Sequence, residues 1–223
     1  MKKSVIIVAG GSGSRMHATM PKQFLLLQDK PMLLHSMERF SFTCRGIDLI
    51  VVLPEQHFKT WESLCEQYHV NLPHRVAPGG VTRFDSVKNG LDLIVDEGLV
   101  AVHDAARPLV SESLIRAAFD CAIKLGNGVP AIPVQESMRK MEHDCSSPVD
   151  RNLYRLIQTP QIFTSGSLKS AYRQPYREQF TDDATVVECL GEKINLIPGD
   201  RDNIKITNRE DLEIAGFLMG GSK

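Results

Sequence analysis

Residues 4–16 read SVIIVAGGSGSRM: the apolar run 5–9 gives way at once to Gly10-Gly11-Ser12-Gly13-Ser14-Arg15-Met16. A short run rich in Val and Ile predicts a strand buried on both faces, and glycines directly after it place a loop at the carboxyl edge of the sheet, where open α/β folds bind ligands. Glycine lets backbone N–H groups approach phosphate oxygens that a side chain would hold off. Two familiar patterns are excluded. The dinucleotide fingerprint G-x-G-x-x-G fails because Met16 stands at its third glycine, and the Walker A loop fails because no Gly-Lys-Ser/Thr follows. What remains is G-x-G-x-R with Pro21-Lys22 a few residues on. Arg15 supplies a planar bidentate fork and Lys22 a compact ammonium, together a clamp for a polyphosphate. A loop that merely turns the chain is the alternative, and the two cations argue against it.

Further apolar runs recur at 49–53, 99–103, 129–134, 194–197 and 204–206. Between them lie helical periodicities: Leu33, Leu34, Met37 and Phe40 after Pro31; Val87, Leu91 and Ile94; Leu114, Ile115, Ala118, Phe119 and Ala122 behind a Ser111 cap. Thr207 and Glu210 form a T-x-x-E capping box ahead of Leu212, Ala215 and Leu218. This alternation predicts an α/β fold in three layers, helices on both faces of a mostly parallel, Rossmann-like sheet.

The stretch 135–158, QESMRKMEHDCSSPVDRNLYRLIQ, interrupts the pattern. Met138 and Met141 alternate with polar residues, Ser146-Ser147-Pro148 predicts a turn and 153–157 a second strand, so the segment reads as a β-arm projecting from the sheet. An isolated hairpin is marginal in water, which points to dimerisation through the arm; a plain surface loop is the other reading. No repeat or linker divides the chain, so 1–223 is expected to form one domain with this appendage.

The 223 residues carry 26 Lys and Arg against 27 Asp and Glu, a net charge of −1, which leaves no basic footprint for nucleic acid. Hydrophobic residues at 42% and charged residues at 24% belong to a globular chain and exclude disorder. The five cysteines, Cys44, Cys65, Cys121, Cys145 and Cys189, are scattered without C-x-x-C, which suits a reducing cytoplasm rather than a disulfide framework or zinc. The apolar run after Lys2-Lys3 is too short for a secretory signal, and no stretch reaches membrane-spanning length.

The ordered segments AGGSGSRM (9–16), PKQF (21–24), PGGVTRFDSV (78–87), VHDAARP (102–108), VDRN (149–152), QTPQ (158–161), FTDDA (180–184) and DNIKIT (202–207) together resemble the 2-C-methyl-D-erythritol 4-phosphate cytidylyltransferase family. The resemblance implies a nucleotidyltransferase in which a sugar-alcohol phosphate attacks the α-phosphorus of CTP and pyrophosphate leaves. It implies that Arg15 and Lys22 stabilise the transition state, that Asp104 binds Mg²⁺ (or Mn²⁺), and that Ala9, Gly10, Gly11, Gly13, Gly80, Val81 and Ser86 hold CTP. Arg151 and Lys205 would position the second substrate's phosphate, with Ser137, Thr159, Thr181 and Asp182 around it.

Each residue has a bland alternative: a helix cap for Asp104, Thr181 and Asp182, a solvated charge for Arg151 and Lys205, a turn for Gly79-Gly80. Val81 replaces a polar residue common in relatives, harmless if only its backbone N–H is used. His103 reads as a satisfied strand-end histidine, since an ionised phosphate nucleophile needs no base. Ribitol 5-phosphate is the competing substrate, and the small pair Ala105-Ala106 favours methylerythritol phosphate. A non-catalytic nucleotide-binding module would have no reason to keep Arg15, Lys22 and Asp104 together, and the missing third glycine opposes a nicotinamide dehydrogenase.

Overall fold

The computed structural model describes residues 1–10 and 20–220. The opening apolar run forms β1 (Lys2–Val8), and after the short pair β2 (Leu26–Leu27) and β3 (Lys30–Pro31) the chain enters α1 (Met32–Thr43). There follow β4 (Asp48–Leu53), α2 (Phe58–Gln67), β5 (Arg75–Pro78), α3 (Arg83–Asp92), β6 (Gly98–Asp104), α4 (Glu112–Leu125) and β7 (Asn127–Pro133). The arm holds β8 (Met138–Glu142) and β9 (Cys145–Val149), after which β10 (Arg155–Ile157), β11 (Gln161–Thr164), α5 (Ser165–Ala171), α6 (Asp183–Glu188), β12 (Leu196–Pro198) and α7 (Arg209–Gly220) complete the chain.

The main sheet runs β10-β7-β11-β6-β1-β4-β5, with β12 also on β7. β1 pairs parallel with β4 and β6, and β4 parallel with β5, while β11 is inserted antiparallel between β6 and β7. Alternation along the strands divides the core. Val5 and Ile7 join α1, α2 and α4 in one cluster, and Ile6, Val100 and Val102 join α3, α5 and α6 in the other. The three layers expected from the periodicity follow from this alternate pointing of successive side chains.

Local signals set the helix starts. Thr82 and Asp85 exchange side-chain and backbone hydrogen bonds at α3 (3.1 and 3.0 Å), and Ser111 caps α4, which ends at Gly126 with φ +88°. At α7 the reciprocal box is formed by Asn208 and Asp211 rather than by Thr207 and Glu210: Asp211 N–H donates to Asn208 Oδ1 and its carboxylate accepts from Asn208 N–H. The shorter Asp, one residue on, also receives both Thr207 donors at 2.7 Å, which anchors the helix more fully than the Glu would.

Three expectations change. Residues 204–206 form no strand; Ile206 packs in a small third cluster with Leu27, Met32 and Ala215, and its N–H reaches a single carbonyl, Ala106. The arm turns at 143–144, with His143 at φ +51°, and Ser146-Ser147-Pro148 lie in β9; Pro148, facing Arg139 at the margin of a two-stranded ribbon, leaves no main-sheet ladder broken. Of 153–157, only β10 is strand, and it joins β7 of the main sheet instead of the arm. β5 and β11 were not anticipated, each being four residues long.

Gly90 of α3 rests on β1 and β4: a Cβ there would lie 2.8 Å from Ile6 Cγ2 and 3.1 Å from Val52 Cγ2. Gly to Ala inside a helix ordinarily gains about 1 kcal/mol, whereas overpacking a filled core costs about 1–3 kcal/mol. Gly90→Ala is therefore expected to lower stability by about 1 kcal/mol, read as a reduced urea midpoint at unchanged m-value; a raised midpoint would show that α3 lifts from the sheet at little cost.

Candidate active site

A cavity of about 220 Å³ opens at the carboxyl edge of β1 and β6, lined by Val8, Ala9, Gly10, Lys22, Gln23, Met32, Gly80, Val81, Thr82, Arg83, Ser86, Asp104, Ala105, Ala106 and Lys205. The register places Val8 opposite Asp104, so the start of the glycine loop and the acidic strand end share one rim. Of the residues expected here, Gly11, Gly13 and Arg15 lie outside the described residues.

One wall is built from small groups. Gly80 N–H donates to Ser86 Oγ (3.0 Å), whose hydroxyl donates to the Thr82 carbonyl (3.0 Å). A Cβ on Gly80 would fall 2.2 Å from Asp85 Cβ, so the capped start of α3 admits only glycine at this position. Gly10 faces the same serine, with a notional Cβ 3.5 Å from Ser86 Oγ. Gly10 and Gly80 thus flank Ser86 on one wall of the cavity, and neither carries a side chain to fill it. Val81 is 99% exposed at its mouth, and no described residue covers that side chain.

Lys22 begins a 3-10 turn, Lys22–Phe24, fixed by Phe24, which is fully buried and stacks on Trp61 with ring centroids 6.1 Å apart. From this anchored base the Lys22 ammonium reaches the Ile206 carbonyl at 2.9 Å and lines the cavity. Lys205, on the segment 201–208, approaches Asp104 Oδ2 at 2.7 Å. That segment is held by Arg107, which donates to the Asn203 carbonyl (2.7 Å), by Asn203 Nδ2 on the Thr159 carbonyl (2.9 Å) and by Ile206 N–H on the Ala106 carbonyl (2.8 Å).

Asp104 lies between two cations, Lys205 on one oxygen and Arg83 Nε on the other at 3.3 Å. Burial alone would push its carboxyl up, but Arg83, Lys205 and Arg107 hold it well below the usual carboxylate range, so it is anionic throughout the working pH range. Arg83 is itself gripped by the fully buried Asp183, with Nη1 at 3.0 Å and Nη2 at 2.8 Å, and Tyr172 donates to the same carboxylate at 2.6 Å. Burial works against the Arg83 charge, and the two carboxylates outweigh it.

A carboxylate that stays ionised and opens onto a phosphate-sized cavity fits Mg²⁺, which takes one or two carboxylates and completes its shell with phosphate oxygens and water. Among the described residues no group of three or more His, Cys, Asp or Glu could form an all-protein cage. The fit is to a metal carried by a polyphosphate.

The remaining expected residues lie elsewhere. Thr159 is buried behind the strand end: Asp104 N–H donates to its Oγ1, its hydroxyl donates to His103 Nδ1, and His103 Nε2–H donates to the Arg107 carbonyl, each at 3.1 Å. Asp182 caps α6, accepting from Thr185 N–H at 2.8 Å and from Gln161 Nε2 at 3.0 Å. Thr181 is exposed beside it. Ser137 and Arg151 lie on the exposed arm, where Arg151 Nη1 bonds the Gln135 carbonyl, and neither lines this cavity. Arg83 stands at the helix start beside the expected Ser86, and Asp183 next to the expected Asp182, yet neither is among the site residues expected from the sequence; the doubled acid in Thr181-Asp182-Asp183 was the available signal.

Comparison with known proteins agrees with the motif order. A family model described as 2-C-methyl-D-erythritol 4-phosphate cytidylyltransferase matches residues 4–221. Proteins of that name from Phocaeicola vulgatus and Porphyromonas gingivalis are 46% and 48% identical, over 98% of this chain and 100% and 98% of theirs. The crystal structure of the Thermus thermophilus protein of that name superposes with a TM-score of 0.80 at 31% identity, covering 98% of both chains. A bifunctional protein from Campylobacter jejuni matches at TM-score 0.81 and 30% identity, over 96% of this chain and 54% of that one.

Burial drives the His103 imidazole down to about 4 from an ordinary value of 6.5. A group depressed on folding binds its proton more readily in the unfolded chain between those values, so stability rises with pH across the window. Between pH 7 and pH 5 this histidine should withdraw about 2 kcal/mol of stability. Urea titrations of the wild type and His103→Gln at both pH values test this: the variant should lose visibly less on acidification, and parallel losses would refute it.

Proposed function

We propose how this chain, which belongs to the 2-C-methyl-D-erythritol 4-phosphate cytidylyltransferase family, uses its cavity. The enzyme transfers CMP from CTP to 2-C-methyl-D-erythritol 4-phosphate, giving 4-diphosphocytidyl-2-C-methyl-D-erythritol and pyrophosphate in non-mevalonate isoprenoid biosynthesis. The observation that carries the reading is the convergence of a glycine-walled slot, Lys22, Lys205 and the anionic Asp104 on one cavity.

Cytosine enters the slot between Gly10 and Gly80, read by main-chain groups of Ala9, Gly10, Gly80 and Val81, with Ser86 ordering the wall. Gly11 and Gly13 are assigned to the triphosphate. Attack by the substrate phosphate builds negative charge on the α-phosphate oxygens and on the leaving pyrophosphate, so fixed cations contribute most to the rate. Arg15 and Lys22 take that role. Lys22 is suited to it because its backbone is pinned by Phe24 while its ammonium stays at the cavity wall. Asp104 would hold magnesium, with manganese as a substitute, and the ion would supply charge neutralisation at the phosphates. Lys205 then exchanges Asp104 for the incoming substrate phosphate.

Arg151, Ser137, Thr159, Thr181 and Asp182 are assigned to the second substrate. Arg151 and Ser137 reach it from the arm of the other subunit of a homodimer, which also covers Met141, Leu153 and Leu156, exposed at 69%, 79% and 51%. The enzyme works in the cytoplasm, and no helix among the described residues is long and apolar enough to cross a membrane.

Replacing Arg15 or Lys22 by Ala should lower kcat at least about 10²-fold, the scale of losing one preorganised transition-state donor, with unchanged circular dichroism; near-normal turnover in both would remove them from the mechanism. Pyrophosphate release measured with CTP should favour methylerythritol phosphate over ribitol 5-phosphate by at least about tenfold in kcat/KM, worth about 1.4 kcal/mol. An equal or reversed ratio would assign the chain to ribitol phosphate.

A further inference from the structure

The Arg83 guanidinium on the cavity wall has an ionic anchor that can be followed inward. Its guanidinium presents two edges. The Nη1/Nη2 edge is fully taken by Asp183, which is 0% exposed, and the Nε edge faces Asp104 Oδ1 at 3.3 Å. Asp183 in turn receives the Tyr172 hydroxyl at 2.6 Å, and the Tyr172 ring stacks on Phe84, the next residue after Arg83, with centroids 4.6 Å apart. Neither Asp183 nor Tyr172 lines the cavity. A bidentate guanidinium–carboxylate pair has one planar geometry, so fixing Asp183 fixes the direction in which Nε–H points.

We propose that Arg83 is a positioning residue for the transfer: Asp183 and Tyr172 orient it so that it holds one oxygen of Asp104 in place, and its charge keeps Asp104 a weak ligand for a free divalent cation. The inference rests on the assignment of Asp104 to the metal. A second cation, Lys205, already occupies the other oxygen. A dication approaching alone meets both positive groups at close range, whereas a dication accompanied by a triphosphate arrives with net negative charge and suffers no such repulsion. Arg83 is therefore expected to have two effects of opposite sign on metal binding and on turnover, a combination that a merely structural ion pair does not produce.

The test uses the full chain and its variants Arg83→Gln, Arg83→Lys and Tyr172→Phe. Mn²⁺ binding without nucleotide is read by electron paramagnetic resonance, kcat and KM by pyrophosphate release, and the fold by thermal melting. Arg83→Gln should bind Mn²⁺ at least threefold more tightly than the wild type while its kcat falls at least tenfold. Arg83→Lys restores the charge but not the fork, so its Mn²⁺ affinity should return to within twofold of wild type while kcat stays low. Tyr172→Phe, which loses only one hydroxyl, should lower kcat several-fold with KM for CTP unchanged. If Arg83→Gln does not fold, the other two variants carry the test. Wild-type kcat in both, whatever their melting temperatures, overturns the proposal, as does unchanged or weaker Mn²⁺ binding in a folded Arg83→Gln. A separate control, Asp104→Asn, isolates the premise: Mn²⁺–CTP binding equal to wild type would remove Asp104 from the metal site, and with it the role given to Arg83.

Discussion

Everything at the active edge depends on the parallel pairing of β1 with β6, which sets Val8 opposite Asp104. The pairing continues past the strand ends, where Ala105 N–H donates to the Val8 carbonyl at 3.0 Å and Ala9 N–H donates to Val52 on the other side. Two loops that leave the sheet at one level must diverge over its rim, and a crevice between them results from topology. A one-residue slip would turn Asp104 from the cavity to the opposite face and carry Val5, Ile6 and Ile7 into the wrong core clusters. The apolar packing thus holds the catalytic register without contributing a polar atom to it.

Buried charge is the second constraint. Asp183, Arg83, Asp104 and Lys205 form a chain of alternating sign from the interior to the cavity. Burying any one of these alone would cost several kcal/mol, and alternation gives each a partner on either side or an opening to solvent. His103 follows the opposite solution: it is neutral, satisfied at both nitrogens by Thr159 and the Arg107 carbonyl, and supports the strand end without adding a charge. The Asp104 peptide is held from behind by a neutral network while its carboxylate is held from in front by cations.

The segment 201–208 shows how a stretch without regular structure is positioned as firmly as a strand. Its backbone is bound by Arg107, Ala106 and Lys22 and its Asn203 side chain donates to the Thr159 carbonyl, and within the segment Lys205 alone lines the cavity. Lys22 and Lys205 come from positions far apart in the chain, so their meeting on one cavity wall depends on β6, the turn after it and the 3-10 turn at Lys22 being assembled together.

The amino-acid sequence by itself determined the layers, because alternation along β1, β4 and β6 and the three-to-four spacing along α1, α3 and α4 are imposed by which faces must leave water. It also carried the glycine loop, the Ser111 cap and the motif set that names the family, since these are local patterns of residue type. Tertiary structure decided the rest. Arg83 and Asp183 stand 100 positions apart, and a single charge pair leaves no periodic trace from which one acid can be preferred to its neighbour Asp182. The short strands β5, β10 and β11 exist because longer neighbours offer them hydrogen bonds, and β11 takes its antiparallel place from β6 and β7. Residues 204–206 had the apolar character of a strand but found a carbonyl instead of a ladder. Local patterns report which surface a residue seeks; only the assembled fold supplies the partner it finds.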